Sequence, residues 1–210
     1  PATAAIGSSP AELPVLWKHD AGGAVSYLRA WLGNPGADVR PADRQALPEG
    51  FGVVAVPSQA GHMSLLDAAG AEVRRIEAGV RVNDVVIDDI DDDGAFEVLL
   101  ARHDCRLQCL DEAGQERFLF APEKEQAVNS TLMLSNNSAL HVFTAKTAPD
   151  GAKTICVTTG DQRLHGVNPA GARQWLFWSY AGFFATHGLY DLDGDGVKEI
   201  CGGNREVSDA

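Results

Sequence analysis

Basic residues are scarce in this chain: 17 lysines and arginines stand against 29 aspartates and glutamates over 210 residues, a formal net charge of -12. A surface of that sign repels phosphate backbones and anionic headgroups, so no nucleic-acid partner is expected. Long apolar runs are missing too. No segment approaches the ~20 residues a helix needs to cross a bilayer, and membrane insertion is not expected. Cysteine is sparse, and Cys105, Cys109, Cys156 and Cys201 form no Cys-x-x-Cys pair. Cys105 and Cys109 would stand too far apart along one strand to bridge. Cys156 and Cys201 fall in apolar segments that suit buried thiols, so cysteine usage leaves the compartment open. There is no G-x-S-x-G, P-loop, H-E-x-x-H or dinucleotide fingerprint. The six histidines (His19, His62, His103, His141, His165, His187) are scattered singly, as structural histidines are. The chain opens at Pro1 without methionine or a signal-like segment, which predicts a processed product or part of a longer chain.

Acidic residues, by contrast, are concentrated. Asp89-Ile90-Asp91-Asp92-Asp93-Gly94-Ala95-Phe96-Glu97 and Asp191-Leu192-Asp193-Gly194-Asp195-Gly196-Val197-Lys198-Glu199 both read D-[IL]-D-x-D-G-x-x-E. Carboxylates at alternate positions repel unless a cation sits between them, and the glycine after the third aspartate allows the backbone to turn sharply. Position seven (Ala95, Val197) is expected to offer a backbone carbonyl and position nine (Glu97, Glu199) a further carboxylate, completing an all-oxygen cage. Hard oxygen donors in a flexible charged loop suit calcium better than zinc or octahedral magnesium. The EF-hand shares the opening but places its glutamate at position twelve between helices. Here Val85-Val86-Ile87 and Val98-Leu99-Leu100 flank the first loop and read as strands.

Internal repetition sets the fold. Three strand ends lead into [DN]-x-x-G turns at Gly70, Gly114 and Gly171, 44 and 57 residues apart, and the Asp-Gly steps at Gly94, Gly151 and Gly196 keep the same phase. The middle loop, Thr147–Gly151, has lost its acids and with them its ion. Four strands per unit predict an all-β protein, a β-propeller of four-stranded antiparallel blades and part of a larger propeller. Residues 1–14 read as a linker, 15–34 as a partial blade (strands Val15–His19 and Val25–Trp31), and 34–50 as a Pro/Gly-rich lead-in. Whole blades are expected at 51–88, 96–144 and 153–190, another begins at 197–204, and 205–210 is a tail. Ala121–Ser138 reads as a surface insertion with sequon-like triplets at Asn129 and Asn136. On this phasing each acidic loop joins the outer strand of one blade to the inner strand of the next.

The phrases Asp191–Ile200 and Arg106–Phe120 resemble bacterial secreted propellers that combine FG-GAP/VCBS (integrin α-like) calcium loops with the blade pattern of PQQ-like quinoproteins. The resemblance covers most of residues 51–204. It implies that Asp89, Asp91, Asp93 and Glu97, and likewise Asp191, Asp193, Asp195 and Glu199, ligate calcium, though such loops often end in Asp where this chain has Glu. The resemblance speaks to architecture and calcium and not to activity; the leading expectation is a non-catalytic binding or scaffolding module for a carbohydrate or protein ligand, in an exported, extracellular or periplasmic protein, since millimolar calcium makes weak sites useful there. Two rivals stand beside it. One is the propeller of a polysaccharide lyase or hydrolase acting on acidic glycans; the other is a quinoprotein dehydrogenase, whose adjacent cysteine pair is missing here. Among the aromatic residues Trp175, Phe177, Trp178, Tyr180, Phe183 and Phe184, packing between blades is the plainer role. Trp175 and Phe177 alternate on the packing face. Trp178 and Tyr180 point the other way and, with His187 near the loop face, are the candidate ligand contacts.

Overall fold

The computed structural model describes residues 18–25, 28–31, 53–67, 69–122, 138–146, 153–161, 163–178, 183–195 and 197–205. Among them are strands and turns and no helix. One sheet holds β1 (Arg29–Trp31), β2 (Val53–Pro57), β3 (His62–Leu66) and β4 (Glu72–Glu77) in chain order. The second holds β5 (Val82–Asp88), β6 (Glu97–Arg102), β7 (Leu107–Leu110) and β8 (Glu116–Phe120). The third holds β9 (Ala139–Ala145), β10 (Thr154–Thr159), β11 (Arg163–Val167) and β12 (Arg173–Trp178), and β13 (Phe183–Tyr190) pairs with β14 (Glu199–Arg205) in a fourth. Every pairing is antiparallel, and the meandering four-stranded sheet is a β-propeller blade.

The unbroken apolar run of β6 follows from its place in the middle of the stack. Val98 and Leu100 pack with Ala55, Met63 and Leu65 of the first sheet. Leu99 and Ala101, pointing the other way, pack with Val142, Ile155 and Val157 of the third. Leu99 and Leu100 have no exposed surface, and burying each contributes roughly 1.5–3 kcal/mol. Cys156 and Leu164 continue the stack toward Ile200 of β14. The fourth strands β4, β8 and β12 are exposed or partly exposed along most of their length, whereas β5 and β9 lie against each other, with Asn83 Nδ2 donating to the Ala139 carbonyl at 2.6 Å.

The [DN]-x-x-G turns form as the residues require. Asp67 Oδ1 accepts from the Ala69 and Ala71 amides, Asn168 Oδ1 from Ala170 and Ala172, and Asp111 Oδ1 from Gln115. Two of the turns also seat on the preceding sheet. A Cβ at Gly114 would lie 3.3 Å from Arg74 of β4, and one at Gly171 would lie 2.6 Å from Phe118 of β8. Arg74 and Phe118 are third residues of equivalent strands, and Arg74 Nη1 also donates to the Glu112 carbonyl.

The phasing of the blades differs from the expectation by one strand. The strand before each acidic loop pairs with the strand after it, Val86 opposite Leu99 and Leu189 opposite Ile200. The second and third sheets therefore run over residues 82–120 and 139–178, in place of the expected 51–88, 96–144 and 153–190. A short acidic loop joins antiparallel neighbours as readily as it crosses between sheets, and both flanking runs are apolar on both faces, so periodicity does not distinguish the two. For the same reason the N-terminal strand opens the first sheet and does not close a preceding one: β1 pairs with β2. Residues 18–19 are not in a strand, and Val25 makes only an isolated bridge to Ser58. Arg205 ends β14 and is not part of a tail. The 1–14 linker, the whole of the 34–50 lead-in, most of the 121–138 insertion and the degenerate 147–151 loop lie outside the described residues.

Candidate metal centre

Both acidic loops close on themselves through backbone amides held by carboxylates. In the first, Asp89 is buried and accepts from the Asp93 amide at 3.1 Å and the Gly94 amide at 2.9 Å. In the second, Asp191 Oδ1 accepts from the Gly194 amide at 2.7 Å. The position-nine glutamates play one part in both, since Glu97 Oε2 accepts from the Ile90 amide at 3.0 Å and Glu199 Oε2 from the Leu192 amide at 2.7 Å. Position four is left-handed in each, with φ of 59° at Asp92 and 80° at Gly194, and Gly94 follows at 91°. Such angles are costly for residues other than glycine, though aspartate tolerates them better than most.

These turns converge three carboxylates per loop. Asp89, Asp91 and Glu97 each place an oxygen within 4.8 Å of the others, as do Asp191, Asp193 and Glu199. The position-five aspartates stand outside both groups. Asp93 Oδ1 accepts from the Ala95 amide and Asp195 Oδ1 from the Val197 amide, each at 2.8 Å, so they shape the turn at position seven. Both loops lie within a sheet, between its first and second strands, and an ion there would fasten one sheet to itself and not two blades to each other.

The first loop is the more buried, and its electrostatics show it. Burial pushes the Glu97 carboxyl up, against the opposing pull of the Ile90 amide and Arg117. Arg117, on β8, places Nη1 2.5 Å from Glu97 Oε1 and Nη2 2.7 Å from Asp91 Oδ2. The hydrogen bond to Asp91 leads in raising the guanidinium further above its already high ordinary value. Asp91 Oδ1 is buried and accepts no hydrogen bond. An all-oxygen donor set with one orphaned anionic oxygen fits a hard divalent cation such as calcium, and the donors that would hold it are Asp89, Asp91 and Glu97.

Of the ligand-contact candidates, Trp178 is the one whose side chain is described. The Trp178 ring lies over the Arg163 guanidinium, 5.0 Å from its centroid, and Arg163 is almost wholly buried. That stacking gives Trp178 a packing role within the third sheet. Phe177, expected on the packing face, is exposed. Trp175 does pack, against Gly166, whose missing side chain leaves room for the indole. His187 is the extra residue at a bulge of β13, between the pairs Thr186–Gly202 and Gly188–Cys201. Tyr180 lies outside the described residues.

Four polar residues that sequence reasoning missed matter here. Besides Arg117, Lys153 Nζ reaches Asp88 Oδ1 at 2.7 Å and the Asp89 carbonyl at 2.9 Å. Asp84 is fully buried and accepts from the Val85 amide at 2.9 Å and the Val142 amide at 3.3 Å, with His141 Nδ1 at 3.5 Å. Apart from the Asp84–Val85 bond, these contacts span 20 to 65 residues of sequence, and no local motif announces them.

A family model described as the λ-carrageenase β-propeller domain matches residues 58–147. Comparison with the curated proteins finds no match. Among solved structures, the chain is similar to BBS1N in complex with ARL6DN, with 13% identity over 79% of this chain and 44% of that one at a TM-score of 0.53. It is also similar to the RRP9 WD40 repeats, with 12% identity over 84% of this chain and 44% of that one at a TM-score of 0.54. The chain spans less than half the length of either. At these identities the likeness speaks to the fold, a β-propeller.

Proposed function

We propose that this chain is a non-catalytic β-propeller module whose two D-x-D-x-D-G-x-x-E loops take calcium as a structural ion, and that it presents a binding or scaffolding surface for a carbohydrate or protein ligand within an exported protein. The observation that carries the calcium reading is the identical convergence of the carboxylates at positions one, three and nine in two separate loops. Three like charges so close destabilise one another unless a cation or hydrogen bonds offset them, and the buried Asp91 Oδ1 has no donor. The FG-GAP/VCBS-like pattern agrees with this role, and extracellular calcium concentrations favour export. A protein ligand fits the use of a similar propeller, BBS1N, in a complex with ARL6DN.

A second reading is favoured by one finding, the match of residues 58–147 to a λ-carrageenase propeller. On that reading the module belongs to a polysaccharide-degrading enzyme acting on an acidic glycan. The calcium-loaded loops would have the same structural part in it.

Calorimetric calcium titration, with thermal melts in calcium and in EDTA, tests the first reading. Two sites are expected, and binding at about a hundred times Kd adds about 2.7 kcal/mol for each site. Asp91→Asn with Asp193→Asn should abolish that gain. A parent protein that neither binds calcium nor melts higher in it would overturn the calcium reading.

A further inference from the structure

The two loops share a sequence pattern and a turn geometry, and the first holds a side-chain cation of its own sheet. A single guanidinium bridges two of the three clustered carboxylates of the first loop, Arg117 Nη1 to Glu97 and Nη2 to Asp91. Arg117 reaches there from the outermost strand of the same sheet, whose hairpin end lies alongside the loop. Glu97 Oε2 is engaged by the Ile90 amide and Oε1 by Arg117, and both oxygens of Asp89 accept loop amides. The first loop thus has most of its negative charge matched by donors of its own sheet. The corresponding group of the second loop is more exposed.

We infer that Arg117 is an internal counter-ion that competes with calcium for the first loop and weakens its binding there; the inference rests on the calcium reading above. A divalent ion bound to Asp91 and Glu97 would sit a few ångströms from the guanidinium, and like charges at that range in a partly buried site repel strongly. Filling the loop requires the guanidinium to leave its two carboxylates. The first loop therefore keeps its shape without metal, and calcium fills it only at a concentration high enough to displace the guanidinium.

The test uses the full chain with the second loop disabled by Asp193→Asn and Glu199→Gln, carrying either Arg117 or Arg117→Met. Calorimetric titration with calcium chloride is expected to show binding about tenfold or more tighter in the Arg117→Met protein. Its melting temperature in EDTA should be lower than that of the Arg117 protein, with calcium restoring it. Arg117→Lys, which keeps the charge but cannot bridge both carboxylates, should bind with intermediate affinity and serves if the methionine variant does not fold. Equal or weaker calcium binding after loss of the guanidinium overturns the inference. A chain with only the first loop disabled, Asp91→Asn and Glu97→Gln, separates the two failures. If it binds calcium while Arg117 variants change nothing, the competition is wrong and the calcium reading stands. If none of these proteins binds calcium, both are wrong.

Discussion

Lys153 Nζ lies 2.7 Å from Asp88 Oδ1, so the residue just before β10 in the third sheet is tied to the last residue of β5 in the second. Thr144 Oγ1 holds the other oxygen, Asp88 Oδ2, at 2.5 Å. Asp88 is the residue next to the first acidic loop, and this bond, together with the one from Lys153 to the Asp89 carbonyl, anchors the loop's entry to the neighbouring blade.

Lys153→Met should therefore loosen the joint between the two sheets. Losing a largely buried charge-assisted bond costs about 2 kcal/mol. Urea unfolding should show a lower midpoint with an unchanged slope.

Asp84→Ala should cost more, about 3 kcal/mol, because it strands the buried Val142 amide and leaves a cavity. Asp84→Asn keeps an acceptor for one amide and should lose less. An alanine variant as stable as the parent in denaturant would show that Asp84 does not join β5 to β9 as the geometry indicates.

Gly166→Ala places a methyl group 2.1 Å from the Trp175 ring. The indole has to shift, at a cost of about 2 kcal/mol by analogy with other overpacked sites. Tryptophan emission should move with it, and an unchanged spectrum and midpoint would refute the contact.

Burial pushes the Cys109 and Cys156 thiols up to about 12 from 9.0, with the Glu97 charge adding to the effect at Cys109. Below pH 9.0 the native and unfolded chains both keep these protons, and the native thiols contribute their full stability. As pH rises from 9.0 toward about 12 the unfolded chain releases protons that the native state retains, and that stability is lost. Unfolding midpoints should fall across this window, less steeply in Cys156→Ala. The thiolate is the nucleophile, so both native thiols should resist a disulfide reagent at about pH 8 and react once the chain is denatured.

Much of this protein is legible locally. The strands around Val98–Leu100, the Asp67, Asp111 and Asn168 turns and the boundaries of both acidic loops follow from alternation, turn chemistry and spacing, because each depends on residues within one strand or turn. The convergence of Asp89, Asp91 and Glu97 belongs to the same class, since the loop's own amides bend it.

What chain order leaves open is the partner of each strand. Val85–Ile87 of β5 and Val98–Leu100 of β6 are apolar on both faces, so the pattern accommodates either neighbour, and only the antiparallel pairing of β5 with β6 settled that the acidic loop lies inside one sheet. The same holds for charge. Sequence alone placed the acids and so determined where negative charge gathers. Only the tertiary structure stacked Trp178 on Arg163 and brought Arg117 across the sheet to Asp91 and Glu97. Long-range pairs depend on sheet register and stacking, which the cooperative packing of all the strands decides together.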